Sequence, residues 1–102
     1  MFFKKNYEQI GVNEIDDIKN PNVIDVRSPQ ECQSMPSKHT KNVPLQSLLM
    51  NPAHYLDKNK KYYILCLSGA RSGSACSALE KEGYDVVNLK GGFAGYRGHY
   101  LK

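Results

Sequence analysis

The chain has 102 residues, 40% of them hydrophobic and 24% charged, with a formal net charge of +4. That length holds one compact domain over residues 1–102 and is too short for two, and the composition excludes a disordered chain. No apolar run approaches the roughly 20 residues that span a bilayer, and the opening MFFKKNYEQIG lacks the long apolar core of a secretion signal, so a cytoplasmic location without membrane contact is expected.

In chain order, YEQIGV predicts a short strand. NEIDDIKN predicts a helix, with Asn13 as N-cap, acids in the first turn, and Ile15 and Ile18 three apart on one face. NPN stops it. VIDV, Val23 to Val26, is a short apolar run of the kind buried in a parallel sheet. SPQECQSM has Ser28 placed as an N-cap and Pro29 at the first helical position, giving one or two helical turns. NVPL predicts another short strand, and QSLLM and AHYL predict helical fragments separated by Asn51-Pro52. DKNKK, Asp57 to Lys61, is the densest basic stretch, but it carries an acid and precedes a strand. It reads as a solvated turn rather than a nucleic-acid patch. YYILCL is the strongest strand signal in the chain. SGSACSALEKEG predicts a helix closed by Gly83 in a left-handed cap, DVVNL a last strand, and GGFAGYRGHYL a glycine-marked turn with a short helix or tail.

Strands therefore alternate with helices. That alternation predicts an α/β fold, an open and mostly parallel sheet with its functional site at the carboxyl ends of the strands. Two polar groups leave strands at such ends: Asp25-Val26-Arg27, and Cys66. The three cysteines, Cys32, Cys66 and Cys76, form neither a C-x-x-C nor a zinc spacing, so reduced thiols and no metal are expected.

Cys66 stands where the apolar strand gives way to Leu67, Ser68, Gly69, Ala70, Arg71 and Ser72. A tight loop of small residues can turn successive N–H groups inward as an anion nest. The helix that follows adds the positive end of its dipole, and Arg71 a permanent charge. All three favour a thiolate, which lowers a free cysteine's usual value of about 8.5 and makes a nucleophile that needs no partner base. For an isolated Cys-x-x-x-x-Arg a buried structural cysteine is the competing reading. Gly69, Ser72 and the preceding strand shift the balance towards a nucleophile.

The segment CLSGARS resembles the C-x-x-G-x-R-S active-site loop of single-domain rhodaneses. VIDVRSPQEC resembles that family's D-V-R-x-x-x-E segment, matching at Asp25, Val26, Arg27 and Glu31. HTKNVPL resembles a shortened form of its G-H-I-P-G-A-x-N-I-P, and LEKEGYDVVNLKGGFAGYR its ending. Four segments in the right order make the resemblance specific. It implies a single rhodanese-like domain, a five-stranded parallel sheet with helices on both faces, and no cofactor. It also implies sulfur transfer: Cys66 takes a sulfane sulfur from thiosulfate, a persulfide or a polysulfide, becomes a persulfide, and passes the sulfur to a thiol, a cyanide-like acceptor or a protein. Three departures stand out. Cys32 replaces the aromatic after Glu31, the segment His39–Pro44 is short and lacks its Gly and Pro, and Tyr96 takes the place of a Trp. Leu67 and Ser68 add no charge to the loop, which predicts weak use of thiosulfate.

Asp25 and Arg27 are expected mainly to form a structural ion pair bracing strand ends, with shaping of the cleft electrostatics as the alternative. His39 matches the motif histidine and is expected to brace the fold, while His54 and His99 are expected at the surface. Gly91-Gly92 predicts a close backbone approach rather than a nucleotide site. Cys76 is expected against the sheet; Cys32 and Cys76 as resolving thiols are the minor reading. Two rival functions stay open: a redox-sensing or dedicated sulfur-carrier module, and a related-fold phosphatase or arsenate reductase. Against the latter, the four residues between Cys66 and Arg71 make a narrower cradle than the longer loop implied for those enzymes.

Overall fold

The computed structural model describes residues 7–102; the opening residues 1–6, on which part of the signal-sequence reading fell, lie outside them. Five strands, β1 (Glu8–Gly11), β2 (Asn22–Asp25), β3 (Thr40–Asn42), β4 (Lys61–Leu65) and β5 (Asp85–Lys90), form one parallel sheet in the order β1-β5-β4-β2-β3. Between them run α1 (Pro29–Ser34), α2 (Leu45–Met50), α3 (Pro52–Tyr55) and α4 (Ala70–Lys81).

Side chains on a strand alternate between faces, and β4 shows the consequence. Tyr62, Ile64 and Cys66 enter one buried cluster with Leu48 of α2 and Ala75, Cys76 and Leu79 of α4. Tyr63 and Leu65 face the other, with Val12, Ile15, Phe93, Tyr96 and Leu101. Both faces of the sheet are covered, as parallel strands require. Each fully buried Leu or Ile contributes about 1.5–3 kcal/mol. Among the described residues no helix is long and apolar enough to cross a membrane.

Several local expectations hold in detail. Ser28 accepts a hydrogen bond from the Glu31 N–H at 3.1 Å, and the Glu31 carboxylate accepts from the Ser28 N–H at 3.0 Å, a reciprocal cap with Pro29 in the first turn. Gly83 has φ of 93° after α4. Tyr96 takes the expected core position, 1% exposed, and its hydroxyl bonds to Asp16.

Three boundaries differ. The segment after β1 is a 3-10 helix, Val12–Asp17, preceded by Gly11 rather than capped by Asn13. The buried pair is Val12 and Ile15, three apart, which suits three residues per turn, and Ile18 is already extended. The Asn13 side chain instead reaches across the fold, donating to the Gly95 carbonyl at 3.2 Å and accepting from the Arg97 N–H at 2.7 Å. The strand expected at NVPL is β3, shifted towards the N-terminus. Val43 and Leu45 still donate to the carbonyls of Asp25 and Val26, but Pro44 between them has no N–H to continue the ladder and opens α2. Helix α4 begins at Ala70, earlier than the expected Ser72, because Gly69 takes φ of 93° and turns the chain directly into the helix.

Candidate active site

Strand β4 ends one residue before Cys66, which is fully buried, and the chain must then reverse into α4. The Cys66 and Leu67 carbonyls are drawn away from the loop by the N–H groups of Phe93 and Ala94, both at 2.9 Å. This leaves the loop's amides free to face inward. The Gly69 N–H donates to Cys66 Sγ at 3.0 Å and the Ser72 N–H at 3.4 Å, and Ser72 Oγ lies 3.2 Å from the sulfur. Of the loop residues Leu67 to Ser72, Gly69 and Ser72 bring their N–H groups to the sulfur, with the Ser72 hydroxyl beside them, while the Ala70 N–H donates to Ser68 Oγ at 3.3 Å.

Two glycines make this geometry possible. Gly69 holds φ of 93°, a left-handed conformation that an L side chain rarely adopts, and a Cβ there would sit 3.0 Å from the Gly91 N. A Cβ on Gly92, at φ of 62°, would run into the backbone of Cys66 and Leu67, coming within 2.6 Å of the Cys66 carbonyl oxygen. The close approach expected at Gly91-Gly92 is thus the contact that backs the loop.

The electrostatics follow from the same atoms. Burial pushes the Cys66 thiol upward, but hydrogen bonds from the Ser72 hydroxyl and the N–H groups of Ser72, Gly69 and Ser68 outweigh it and leave the group below the ordinary cysteine range. Cys76 has burial without donors and is pushed up to about 12, with Glu80 and Cys66 adding smaller like-charge effects. The Cys32 thiol is also raised, first by burial.

Arg71 is arranged differently from the expectation that its fork serves the thiolate. Its Nη1 and Nη2 donate to Glu31 Oε1 and Oε2 at 2.7 and 2.8 Å. A bidentate carboxylate is the better match to a planar guanidinium. The pair joins α4 to α1, and hydrogen bonding from Arg71 holds Glu31 down at about 2. Asp25 and Arg27 form the expected structural ion pair. Both are fully buried, Arg27 Nη2 donates to Asp25 Oδ2 at 2.8 Å and to the Met35 carbonyl at 2.8 Å, and the guanidinium lies over the Phe93 ring, 4.7 Å from its centroid. Their charges cancel against each other at the end of β2, so the pair braces the fold. His39 braces it as well, with Nδ1 2.7 Å from the Tyr100 carbonyl and its ring stacked on Tyr100; His54 and His99 are exposed.

Two participants escaped the sequence reading. Glu31 is legible in the sequence only as a motif residue. Asn88, 2% exposed on β5, accepts from Ser72 Oγ at 2.5 Å and donates from Nδ2 to the Gly69 carbonyl at 3.2 Å. Its signal was a lone amide inside the apolar run DVVNL. Beside Leu67 a cavity of about 270 Å³ is lined by Arg27, Gln30, Glu31, Ser34 and Met35.

Comparison with known proteins gives the same architecture a family. A protein from Allochromatium vinosum named "Sulfurtransferase" is 31% identical over 100 residues, covering 88% of this chain and 92% of that one. The crystal structure of SSP1007 from Staphylococcus saprophyticus superimposes with a TM-score of 0.80 at 31% identity, over 93% of this chain and 98% of that chain. A rhodanese-like domain protein from Staphylococcus aureus gives 0.81 at 27% identity, over 93% and 96%. Two Bacillus subtilis relatives match over part of their lengths: YtwF is 42% identical over 43 residues, 42% of this chain and 42% of that one, and YqhL is 36% identical over 77 residues, 74% of this chain and 60% of that one. The family described as Rhodanese-like domain matches residues 11–99, from the end of β1 through the thiol loop to the C-terminal segment. The chain belongs to the rhodanese-like domain family.

Proposed function

We propose that this protein is a sulfurtransferase that carries a sulfane sulfur as a persulfide on Cys66. The supporting observation is a buried sulfur met by the N–H groups of Gly69 and Ser72 and by the Ser72 hydroxyl. In the first half-reaction the Cys66 thiolate attacks the outer sulfur of the donor. The donor's S–S bond breaks and its electron pair leaves with sulfite from thiosulfate, or with a thiolate from an organic persulfide. In the second, an acceptor thiolate or cyanide attacks the terminal sulfur and the Cys66 thiolate leaves. Both leaving groups are stable anions, so neither step needs a general acid. The loop from Cys66 to Ser72 contains no Asp, Glu or His. Inward N–H groups stabilise the anionic sulfur before and after transfer.

Donor choice follows from charge. The loop's one cation is bound by Glu31, which leaves little to attract a dianion. An organic persulfide, which brings a single negative charge to the reacting sulfur, is the favoured donor over thiosulfate. Intact-protein mass spectrometry after incubation with thiosulfate, inorganic polysulfide and a low-molecular-weight persulfide tests this. One added sulfur on Cys66 is expected, greatest with the persulfide and absent in Cys66→Ser; unchanged turnover in Cys66→Ser would overturn the reading. Cys32→Ala/Cys76→Ala is expected to load sulfur as wild type does. No Cys66-dependent hydrolysis of an aryl phosphate is expected.

A further inference from the structure

We infer that Asn88 is a positioning residue of this site, which sets through a shared hydrogen bond whether the Ser72 hydroxyl accepts from Cys66 or donates to it. Asn88 lies opposite Ile64 of β4, on the sheet face that carries α4. Its amide orientation is fixed by its neighbours: Nδ2 donates to the Gly69 carbonyl at 3.2 Å and faces Gln9 Oε1 at 3.4 Å. Oδ1 is therefore the atom turned to Ser72. It carries no proton, so the 2.5 Å contact is made by the Ser72 hydroxyl proton pointing at Asn88.

A hydroxyl has one proton. With that proton directed to Asn88, Ser72 Oγ presents a lone pair to Cys66 Sγ at 3.2 Å. This suits a thiol, whose S–H can donate to Oγ, and it opposes a thiolate, which meets a lone pair. When the Cys66 proton leaves to water, the hydroxyl gains by rotating its proton onto the sulfur, and Asn88 Oδ1 then loses its donor inside a buried site. The Ser72–Asn88 bond and the Ser72–thiolate bond exclude each other. Asn88 therefore restrains ionisation of the resting thiol, while its Nδ2 holds Gly69, whose N–H serves the sulfur in either state.

The other charged and titratable groups around the sulfur and Asn88 are the Arg71–Glu31 pair from α4 and α1, Cys76 within α4, the Asp25–Arg27 pair at the end of β2, Lys90 at the end of β5, and the Tyr7 hydroxyl against Gly73. None is altered by changing Asn88 to an uncharged side chain.

The test is ionisation itself, read as thiolate ultraviolet absorbance against pH, each protein corrected by its own Cys66→Ser counterpart. Asn88→Leu removes the acceptor and keeps much of the side chain's volume; Asn88→Ala serves should the leucine variant fail to fold. Freed from Asn88, the hydroxyl donates to the thiolate at no cost to a partner, so the Cys66 midpoint is expected to fall by roughly 0.5–1 pH unit. Ser72→Ala alone is expected to raise it, and in the Ser72→Ala background the Asn88 substitution is expected to lower nothing. A merely structural role predicts the opposite sign, since a loosened loop aims its N–H donors less well. A rise in the single Asn88 variant, or an equal shift with and without Ser72, would overturn the inference. Wild-type protein gives an independent reading: the Asn88 13Cγ resonance is expected to follow the Cys66 titration, and a resonance that stays fixed would overturn it too. The inference rests on the sulfur-transfer reading only for its consequence in turnover. Absent sulfur uptake with the expected midpoint shifts would refute that reading and leave this one standing.

Discussion

At Gly92 one hydrogen atom decides whether the thiol loop can close. The residue sits at φ of 62° with the carbonyls of Cys66 and Leu67 directly behind it. Those carbonyls accept from Phe93 and Ala94, which is why the opposite side of the loop presents N–H groups to the sulfur. Gly92→Ala is expected to destabilise the protein by about 1–3 kcal/mol from backbone conformation alone, measured by urea unfolding. The added methyl must also push the Cys66 carbonyl away, so sulfur uptake at Cys66 should fall further than the loss of folded protein explains. An alanine variant with wild-type stability and wild-type uptake would show that the contact is not limiting. The same reasoning covers the cysteines. Cys66 and Cys76 are both fully buried, yet one is depressed and the other pushed up to about 12, and the difference lies in which of them meets inward donors.

At the scale of elements, the Glu31–Arg71 pair is the tie between α1 and α4. The Glu31 carboxyl is held at about 2, against an ordinary 4.5. A depressed acid stabilises the folded state fully above its unfolded value and loses that contribution as pH falls through its folded value. Wild type is therefore expected to melt above Glu31→Gln near pH 7, and the gap should shrink as pH drops below about 4.5 and close by about 2. A gap independent of pH would mean the glutamine acts through the Ser28 cap instead. Because Arg71 is bound to Glu31, Arg71→Ala is expected to move the Cys66 titration less than Ser72→Ala does. Helix α4 gives the element-level account of why: its first turn carries Ser72 to the sulfur, whereas Arg71, the preceding residue, is rotated by about 100° around the axis and reaches α1.

For the whole molecule, the buried Asp25–Arg27 pair closes one end of the fold. Arg27 bonds to Asp25 and to the Met35 carbonyl, lies over Phe93 of the opposite core cluster, and its backbone carbonyl accepts from Asn42 of β3 at 2.9 Å. Removing one partner leaves a buried charge alone, and Arg27→Met is expected to cost about 3–5 kcal/mol in chemical denaturation. Asp25→Asn/Arg27→Met, which removes both charges, should recover part of that loss. A single variant that is as stable as wild type would show the pair to be dispensable.

What the sequence by itself determined was local and periodic. YYILCL marked the strongest strand with Cys66 near its end, Ser28 and Pro29 opened α1, Gly83 ended α4, and four spaced segments indicated the family and the loop that holds the thiol. These are legible because each depends on neighbours a few residues apart or on the strand and helix periods. The tertiary structure decided the partnerships. Glu31 and Arg71 are 40 residues apart, Ser72 and Asn88 16 apart, and Asn13 and Arg97 84 apart. No periodicity relates such residues; parallel crossovers bring them together, so the chain's order does not state which carboxylate claims an arginine or which amide claims a hydroxyl. The sequence could propose a cationic loop around Cys66, but only the folded arrangement that brings Glu31 of α1 to Arg71 of α4 shows that its arginine is already paired, and only the β4–β5 register puts Asn88 behind Ser72.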